Sequence, residues 1–200
     1  MARILTFREE NHEYEVNGEI KPCVSDITRF IANDVYGEVS QYVLDNAADR
    51  GTRVHKATQM LDVVHEVECD EDITPYVQAY LGFLKEHHPE WEKIEFSFYN
   101  AECDFCGTVD RYGTLDGKKT LVDIKTSSSI QKVLYGAQLN LYRMGLESNG
   151  FEVERMLILH LTKDGKAKLV EIDRNDDVAN ACLTLFNALK KKPRKKKGDQ

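Results

Sequence analysis

The segment from residue 107 to residue 126 reads GTVDRYGTLDGKKTLVDIKT, and its pattern predicts a β-hairpin. Its centre, Asp116-Gly117, is a dipeptide that favours the tight two-residue turn between antiparallel strands. Such a turn pairs the residues on either side of it, and the same register places Asp110 opposite Asp123. Opposed residues of an antiparallel pair lie on one face, with Cβ atoms roughly 4.5–5.5 Å apart. The turn therefore predicts two facing carboxylates.

Two facing carboxylates repel each other, so the arrangement calls for a compensating cation. Hard divalent ions such as Mg²⁺ are bound by one or two carboxylates together with water and substrate phosphate. Lys125 lies two residues beyond Asp123, and the strand period places its ammonium on the same face. This combination suits the hydrolysis of a phosphodiester. The competing interpretation is a solvent-facing acid pair that Lys125 or Arg111 partly neutralises.

The rest of the chain predicts an α/β fold in which helices flank a central mixed β-sheet. An N-terminal β-hairpin is expected first, because short β-like runs accompany the Asn17-Gly18 turn dipeptide. Helical periodicity then continues to about His88. After it we expect strands at 93–99, 104–114 and 119–127, a helix at 131–147, strands at 155–161 and 167–172, and a helix at 176–190.

Composition excludes several classes of protein. The chain has 200 residues, 42% of them hydrophobic, and only 12 glycines and 4 prolines, which excludes collagen-like and disordered sequences. No apolar run approaches the ~20 residues that a membrane span needs, so we expect no membrane association. Five cysteines do not form the framework of a small secreted protein. We therefore expect a cytoplasmic protein with a single domain at 1–189.

Charge is divided unevenly along the chain. Residues 190–200 carry a net charge of +6, whereas residues 1–189 carry −13. The basic segment is interpreted either as a disordered arm that attracts polyanions or as a solvated helix end. Within the acidic body, we expect positive charge for nucleic-acid capture to come from a bound metal and from Arg53, Lys56, Arg111 and Lys132.

Four motifs resemble those of the PD-(D/E)XK nuclease superfamily and, within it, the RecB-like exonucleases. They are Gly51-Thr-Arg-Val-His55, Gly107-x-x-Asp110, Asp123-Ile-Lys125-Thr and Gln138-x-x-x-Tyr142. Their joint occurrence in this order is more specific than any one of them. Residues 12–28 are also similar to the N-terminal region of phage-encoded members and of mitochondrial genome maintenance exonucleases.

The resemblance implies a restriction-endonuclease-like three-layer core and a metal-dependent deoxyribonuclease that uses one or two Mg²⁺ or Mn²⁺ ions. Its DNA substrate would present a linear single- or double-stranded end, in phage or bacterial recombination, repair or replication, with a recombination or replication protein as partner. The implied metal ligands are His55, Asp110, Asp123 and the Ile124 carbonyl, with Glu95 as an auxiliary acid. Lys125 is implied as the catalytic lysine, and Gln138 and Tyr142 are implied to hold Lys125 or the DNA backbone.

Two features compete with this interpretation. Cys103-x-x-Cys106 invites a metal-cluster interpretation, but four thiolates are needed and no second such pair occurs, so we do not expect an iron–sulfur cluster. Tyr135 continues the helical stripe of Gln138 and Tyr142, and we interpret it as a core residue. The alternative functions are a non-catalytic DNA-binding module and an assembly factor on the same fold.

Overall fold

The computed structural model of the chain describes residues 4–8 and 10–190; the predicted basic tail from 191 onwards lies outside the described residues. Three helices separate a small N-terminal sheet from the strands of the central sheet. The elements are β1 (Leu5–Arg8), β2 (Glu13–Val16), β3 (Glu19–Lys21), α1 (Val24–Tyr36), α2 (Gln41–Val64), α3 (Thr74–His87), β4 (Glu90–Asn100), β5 (Phe105–Leu115), β6 (Lys118–Lys125), α4 (Lys132–Ser148), β7 (Arg155–Leu161), β8 (Ala167–Glu171) and α5 (Asp176–Leu189).

The central sheet has the order β4-β5-β6-β7-β8, in which only the β6–β7 pair is parallel. Buried side chains of α1, α4 and α5 form one hydrophobic core with the sheet. Those of α2 and α3 form a second core on its other face. The predicted mixed sheet and the restriction-endonuclease-like three-layer arrangement are therefore confirmed. No helix of residues 4–8 and 10–190 is both long and apolar enough to cross a membrane.

The hairpin of β5 and β6 has the predicted turn. Asp116 and Gly117 have φ values of 51° and 76°, and the pairing extends from Leu115 opposite Lys118 to Arg111 opposite Val122. The next pair, Asp110 with Asp123, would continue this register but is not part of the ladder. Beyond that point β5 pairs only with β4, and β6 only with β7. The two strands therefore part where the acids stand.

The predicted N-terminal hairpin is one part of a three-stranded antiparallel sheet with the order β1-β2-β3. The Asn17-Gly18 turn, with φ values of 51° and 88°, joins β2 to the additional strand β3. Hydrogen bonds from this N-terminal region reach the central sheet. Tyr14 Oη lies 2.8 Å from Thr108 Oγ1, and the Cys106 N–H donates to the Pro22 carbonyl at 2.8 Å.

Candidate metal centre and catalytic cleft

A cleft of about 550 Å³ opens where β5 and β6 part. The helix α2 forms one side of it, and the N-terminal sheet forms another. Its lining brings together six of the predicted site residues, from α2, β4, β5, β6 and α4. These are His55, Glu95, Asp110, Asp123, Lys125 and Tyr142.

Asp110 is held at the floor of the cleft by the backbone of β6. Its Oδ2 accepts the Ile124 N–H at 2.6 Å, in place of a ladder partner on β5. The alternation of β5 is interrupted here, since Val109 and Tyr112, three residues apart, belong to the same core. Irregular strand pairing of this kind re-aims a side chain and is common beside active sites. The irregularity thus directs the Asp110 carboxylate into the cleft.

Glu95 stands opposite Asp110 on β4 and has an unusual backbone. Its φ is 47°, in the left-handed region that residues other than glycine seldom adopt. Such a conformation costs on the order of 1–3 kcal/mol and persists where the surrounding structure imposes it. The Arg111 Nη1 group donates to Glu95 Oε1 at 3.0 Å and fixes the carboxylate at the cleft. The strained backbone therefore brings a third acid to the site.

His55 projects from α2 towards these acids. Its Nδ1 lies 3.5 Å from Asp110 Oδ1 and 3.8 Å from Glu95 Oε1, and its Nε2 lies 3.0 Å from the Ile124 carbonyl oxygen. Burial lowers the pKa of His55, but the Asp110 and Glu95 carboxylates outweigh it and raise the pKa to about 9. At neutral pH the metal-free imidazole is therefore protonated, and its Nε2–H donates to Ile124.

Asp123 and Lys125 form a buried ion pair beside this group. The Lys125 ammonium lies 2.7 Å from Asp123 Oδ2, yet that oxygen has no hydrogen-bond donor of acceptable geometry among the described residues. Burial raises the pKa of Asp123, and the neighbouring ammonium only partly opposes the rise. Burial alone would lower the pKa of Lys125, but Asp123 and Asp110 outweigh it and raise the pKa. The pair thus places a charged lysine beside a carboxylate oxygen that accepts no well-formed hydrogen bond.

The donor set fits a hard divalent cation. Ligand atoms of His55, Glu95 and Asp110 all lie within 4.8 Å of one another. His55 Nδ1 faces the Asp110 and Glu95 carboxylates at 3.5 and 3.8 Å, so a neutral imidazole could share an ion with them through this nitrogen. Asp123 Oδ2, which has no hydrogen-bond donor of acceptable geometry among the described residues, could add an oxygen ligand from the same cleft.

Tyr135 supports Lys125 in a way that the sequence did not indicate. The residue is buried in the core, as interpreted, but the Lys125 Nζ also lies 5.2 Å from the centre of its ring. Its hydroxyl lies 2.9 Å from Tyr36 Oη and 3.3 Å from Ser127 Oγ. These contacts hold the ring under the ammonium, where its negative face attracts the charge.

The two residues of the predicted Gln-x-x-x-Tyr motif are placed differently. Tyr142 lines the cleft, and burial, with Asp123 and Asp110 adding to the effect, raises its pKa well above the usual value. The Gln138 Oε1 is buried and accepts no hydrogen bond from the described residues. Within those residues neither side chain hydrogen-bonds Lys125, so their contact with the lysine or with DNA stays a prediction.

Arg111 lies at the centre of a buried network that sequence reasoning missed. Its Nε donates to Asp62 Oδ2 at 2.6 Å, and its Nη2 donates to Thr58 Oγ1 at 3.2 Å. The Tyr80 hydroxyl also donates to Asp62, at 2.6 Å. His55, Thr58 and Asp62 are spaced i, i+3, i+7 on α2 and therefore share one helical face. This spacing is the sequence signal that could have indicated the network.

The prediction that Arg111 and Arg53 supply charge for nucleic-acid capture is wrong. Arg111 is fully buried and faces α2 and Glu95. Arg53 is on the surface, but its guanidinium is bound by Asp49, Asp70 and Asp72. Both charges are therefore matched by carboxylates within the protein.

The two residues of the cysteine pair lie in different elements. Cys103 is part of a turn that precedes β5, and Cys106 is buried in β5. Cys106 neighbours Cys23 across an isolated bridge, which ties the N-terminal segment to the central sheet. All five cysteines are free thiols.

The model of the family described as the PD-(D/E)XK nuclease superfamily matches residues 70–196. No curated protein matches the chain significantly. Similar solved structures include SSO0001, with 16% identity, a TM-score of 0.42 and coverage of 86% of this chain and 77% of that chain. The alkaline exonuclease LHK-Exo from Laribacter hongkongensis has 13% identity and a TM-score of 0.41, with 82% and 83% covered. Its complex with dAMP has 13% identity and a TM-score of 0.42, with 84% and 86% covered.

Proposed function

The chain belongs to the PD-(D/E)XK nuclease superfamily, and from this premise we propose that it is a metal-dependent deoxyribonuclease with its active site in the β5–β6 cleft. One observation carries the proposal. The cleft combines a group of ligand atoms within 4.8 Å of one another with an acid–lysine pair at 2.7 Å. A non-catalytic nucleic-acid-binding module on this fold would need neither arrangement.

The proposed ligands are His55, Asp110, Asp123 and the Ile124 carbonyl, with Glu95 as an auxiliary acid. A bound divalent ion would supply Lewis-acid polarisation of the phosphate and a water of lowered pKa. Mg²⁺ and Mn²⁺ suit this mainly oxygen donor set, as one ion or two.

Lys125 has the role of catalytic lysine in this proposal. Its ammonium, held between Asp123 and the Tyr135 ring, is charged at neutral pH and faces the cleft. There it orients the attacking water and neutralises negative charge that develops on the phosphate. Gln138 and Tyr142 are proposed to position Lys125 or the DNA backbone.

The finer proposal is an exonuclease of the RecB-like branch that acts on linear DNA in phage or bacterial recombination, repair or replication. It is supported by the order of the four motifs, from His55 to Tyr142. A recombination or replication protein is the proposed partner, and the cytoplasm the proposed compartment.

The function is tested with end-labelled linear DNA and a covalently closed circle of the same sequence, titrated with Mg²⁺ or Mn²⁺. We expect mononucleotide or short-oligonucleotide release from the linear DNA only, and none in the presence of EDTA. Cleavage of the circle would instead identify an endonuclease. Binding without cleavage at any metal concentration would favour the non-catalytic module or the assembly factor.

A further inference from the structure

An aromatic cluster on the N-terminal sheet forms one wall of the cleft. Phe7 of β1, His12 in the turn before β2, and Tyr14 of β2 all line it. The Phe7 and His12 rings meet edge to face with centres 5.2 Å apart, and the Phe7 and Tyr14 rings are 4.6 Å apart. Tyr14 is buried and Phe7 half-buried, whereas His12 is exposed. The cluster thus exposes an aromatic surface to the cleft, and its buried Tyr14 anchors it to the sheet.

This wall is held in a fixed position relative to the candidate metal centre. Tyr14 Oη lies 2.8 Å from Thr108 Oγ1, which in turn lies 2.7 Å from Ser97 Oγ. Thr108 is two residues from Asp110 on β5. A ligand that contacts the aromatic wall and the metal centre together would therefore meet a pre-formed surface.

The lysines and acids of the cleft offer little net positive charge to a polyanion. Among the residues that the structure describes, the lining has three acids, two lysines and no arginine. One of the lysines, Lys125, already pairs with Asp123. Residues 1–189 carry a net charge of −13. A bound divalent ion would be the main source of positive charge here, and base stacking on aromatic rings is a second source of affinity for a nucleic-acid strand.

We propose that the Phe7–His12 wall is a stacking subsite for an unpaired nucleobase, so that the cleft takes a single-stranded DNA end. This rests on the proposed nuclease function and names its substrate class. Bases in a duplex already stack on their neighbours, whereas an unpaired base offers a free face to an aromatic side chain. A cleft of about 550 Å³ also has the size of a small-ligand pocket, which suits the end of one strand.

At His12 a substitution can remove the aromatic ring without straining the backbone. Its φ is 51°, a conformation that asparagine adopts more readily than most residues. His12→Asn therefore removes the stacking surface while tolerating the turn, and His12→Phe retains an aromatic ring. Ile20→Ala is the matched control, because Ile20 is an exposed apolar residue of the same small sheet that does not line the cleft.

The experiment measures binding of labelled single-stranded oligonucleotides by fluorescence anisotropy, in full-length chains that carry Lys125→Ala to prevent hydrolysis, with Mg²⁺ present. An abasic nucleotide is stepped one position at a time from the end. We expect one position at which loss of the base weakens binding by roughly 5- to 150-fold, the range for one stacked base. His12→Phe and Ile20→Ala should keep this sensitivity, and His12→Asn should remove most of it.

Equal sensitivity to the abasic position in His12→Asn and in the parent chain would overturn the proposal, as would tighter binding of a blunt duplex than of the single strand. Hydrolysis is scored separately in chains that retain Lys125. Cleavage of DNA without any base-dependent binding would refute the stacking subsite and leave the nuclease function standing. Base-dependent binding without cleavage would support the stacking subsite and refute the nuclease function.

Discussion

Asp110 accepts the backbone N–H of Ile124 at 2.6 Å, and this bond stands where the ladder between β5 and β6 ends. The carboxylate replaces a backbone acceptor, so one interaction both orients the acid and separates the strands. The Ile124 carbonyl, 3.0 Å from the His55 ring, belongs to the same residue. The hydrogen bond between Asp110 and Ile124 therefore accounts both for the opening of the cleft and for the position of two proposed ligands.

Asp110→Ala should destabilise the protein and abolish hydrolysis, whereas Asp110→Asn should abolish hydrolysis at a smaller cost in stability. Alanine leaves the fully buried Ile124 N–H without an acceptor, a loss of about 1–3 kcal/mol, but the asparagine oxygen still accepts it. Urea unfolding of the metal-free variants measures the difference. Equal destabilisation by the two substitutions would show that the bond does not hold the strands as described.

Arg111→Met should reduce the free energy of unfolding by about 3–5 kcal/mol, because it leaves the buried Asp62 carboxylate without its cation. Tyr80→Phe removes one hydrogen bond to the same carboxylate and should cost about 1–3 kcal/mol. Chemical denaturation measures both effects. The double variant Arg111→Met/Asp62→Leu should recover part of the loss, since neither charge is then stranded. A strictly additive double variant would contradict the coupling.

The metal-free protein should lose stability as the pH rises from about 6.5 to about 9. The folded pKa of His55 is raised to about 9 by Asp110 and Glu95, against an ordinary value of 6.5. The folded state therefore binds the proton more tightly than the unfolded state, and this contribution disappears as the pH passes the folded pKa. Urea unfolding in EDTA across this window measures the trend. His55→Asn should flatten it, and an equal slope in that variant would assign the trend to other groups.

Metal binding should release a proton from His55 below pH 9, because a ligating imidazole must be neutral. Calorimetric titration with Mn²⁺ in two buffers of different ionisation enthalpy measures this release. We expect about one proton per ion near pH 7 and apparent affinity that rises with pH. An apparent enthalpy independent of the buffer would mean that His55 does not ligate the ion.

A chain truncated after Lys190 should keep its turnover at saturating DNA but bind more weakly at low salt. Helix α5 ends at Leu189, so the truncation removes only the basic segment that follows. Every DNA phosphate that this segment neutralises adds about 0.7–0.9 to the slope of log K against log salt concentration, so the truncated chain should show a shallower slope. Binding at several salt concentrations measures the slope. An unchanged slope would identify the segment as a solvated helix end.

The hairpin register was predictable because it depends on local chemistry. The Asp116-Gly117 turn adopts the left-handed conformations that its residue types favour, and this set the pairing that brings Asp110 towards Asp123. The continuous apolar run of β7 and the helical period of α4 likewise predicted a buried strand and a helix that covers the sheet. These features are decided within a few residues along the chain.

Other parts of the site depend on contacts between distant elements and were not predictable in this way. The left-handed backbone of Glu95 persists because the surrounding structure holds it, and no nearby residue type predicts it. Arginine is usually a surface residue, yet Arg111 is buried and donates a hydrogen bond to Asp62 of α2. The contact of Tyr135 with Lys125 likewise arises only when α4 packs on the sheet.

The central claim is that the acids and the lysine of the cleft hydrolyse DNA with a bound divalent ion. Its most direct test is the single-turnover hydrolysis rate of end-labelled linear DNA by the parent chain and by Lys125→Ala, with Mn²⁺ affinity measured on both. We predict that the variant binds Mn²⁺ as the parent chain does and is slower by at least ~10²-fold, the effect of losing an electrostatic stabiliser. Undiminished hydrolysis in Lys125→Ala, or hydrolysis that persists in EDTA, would contradict the account.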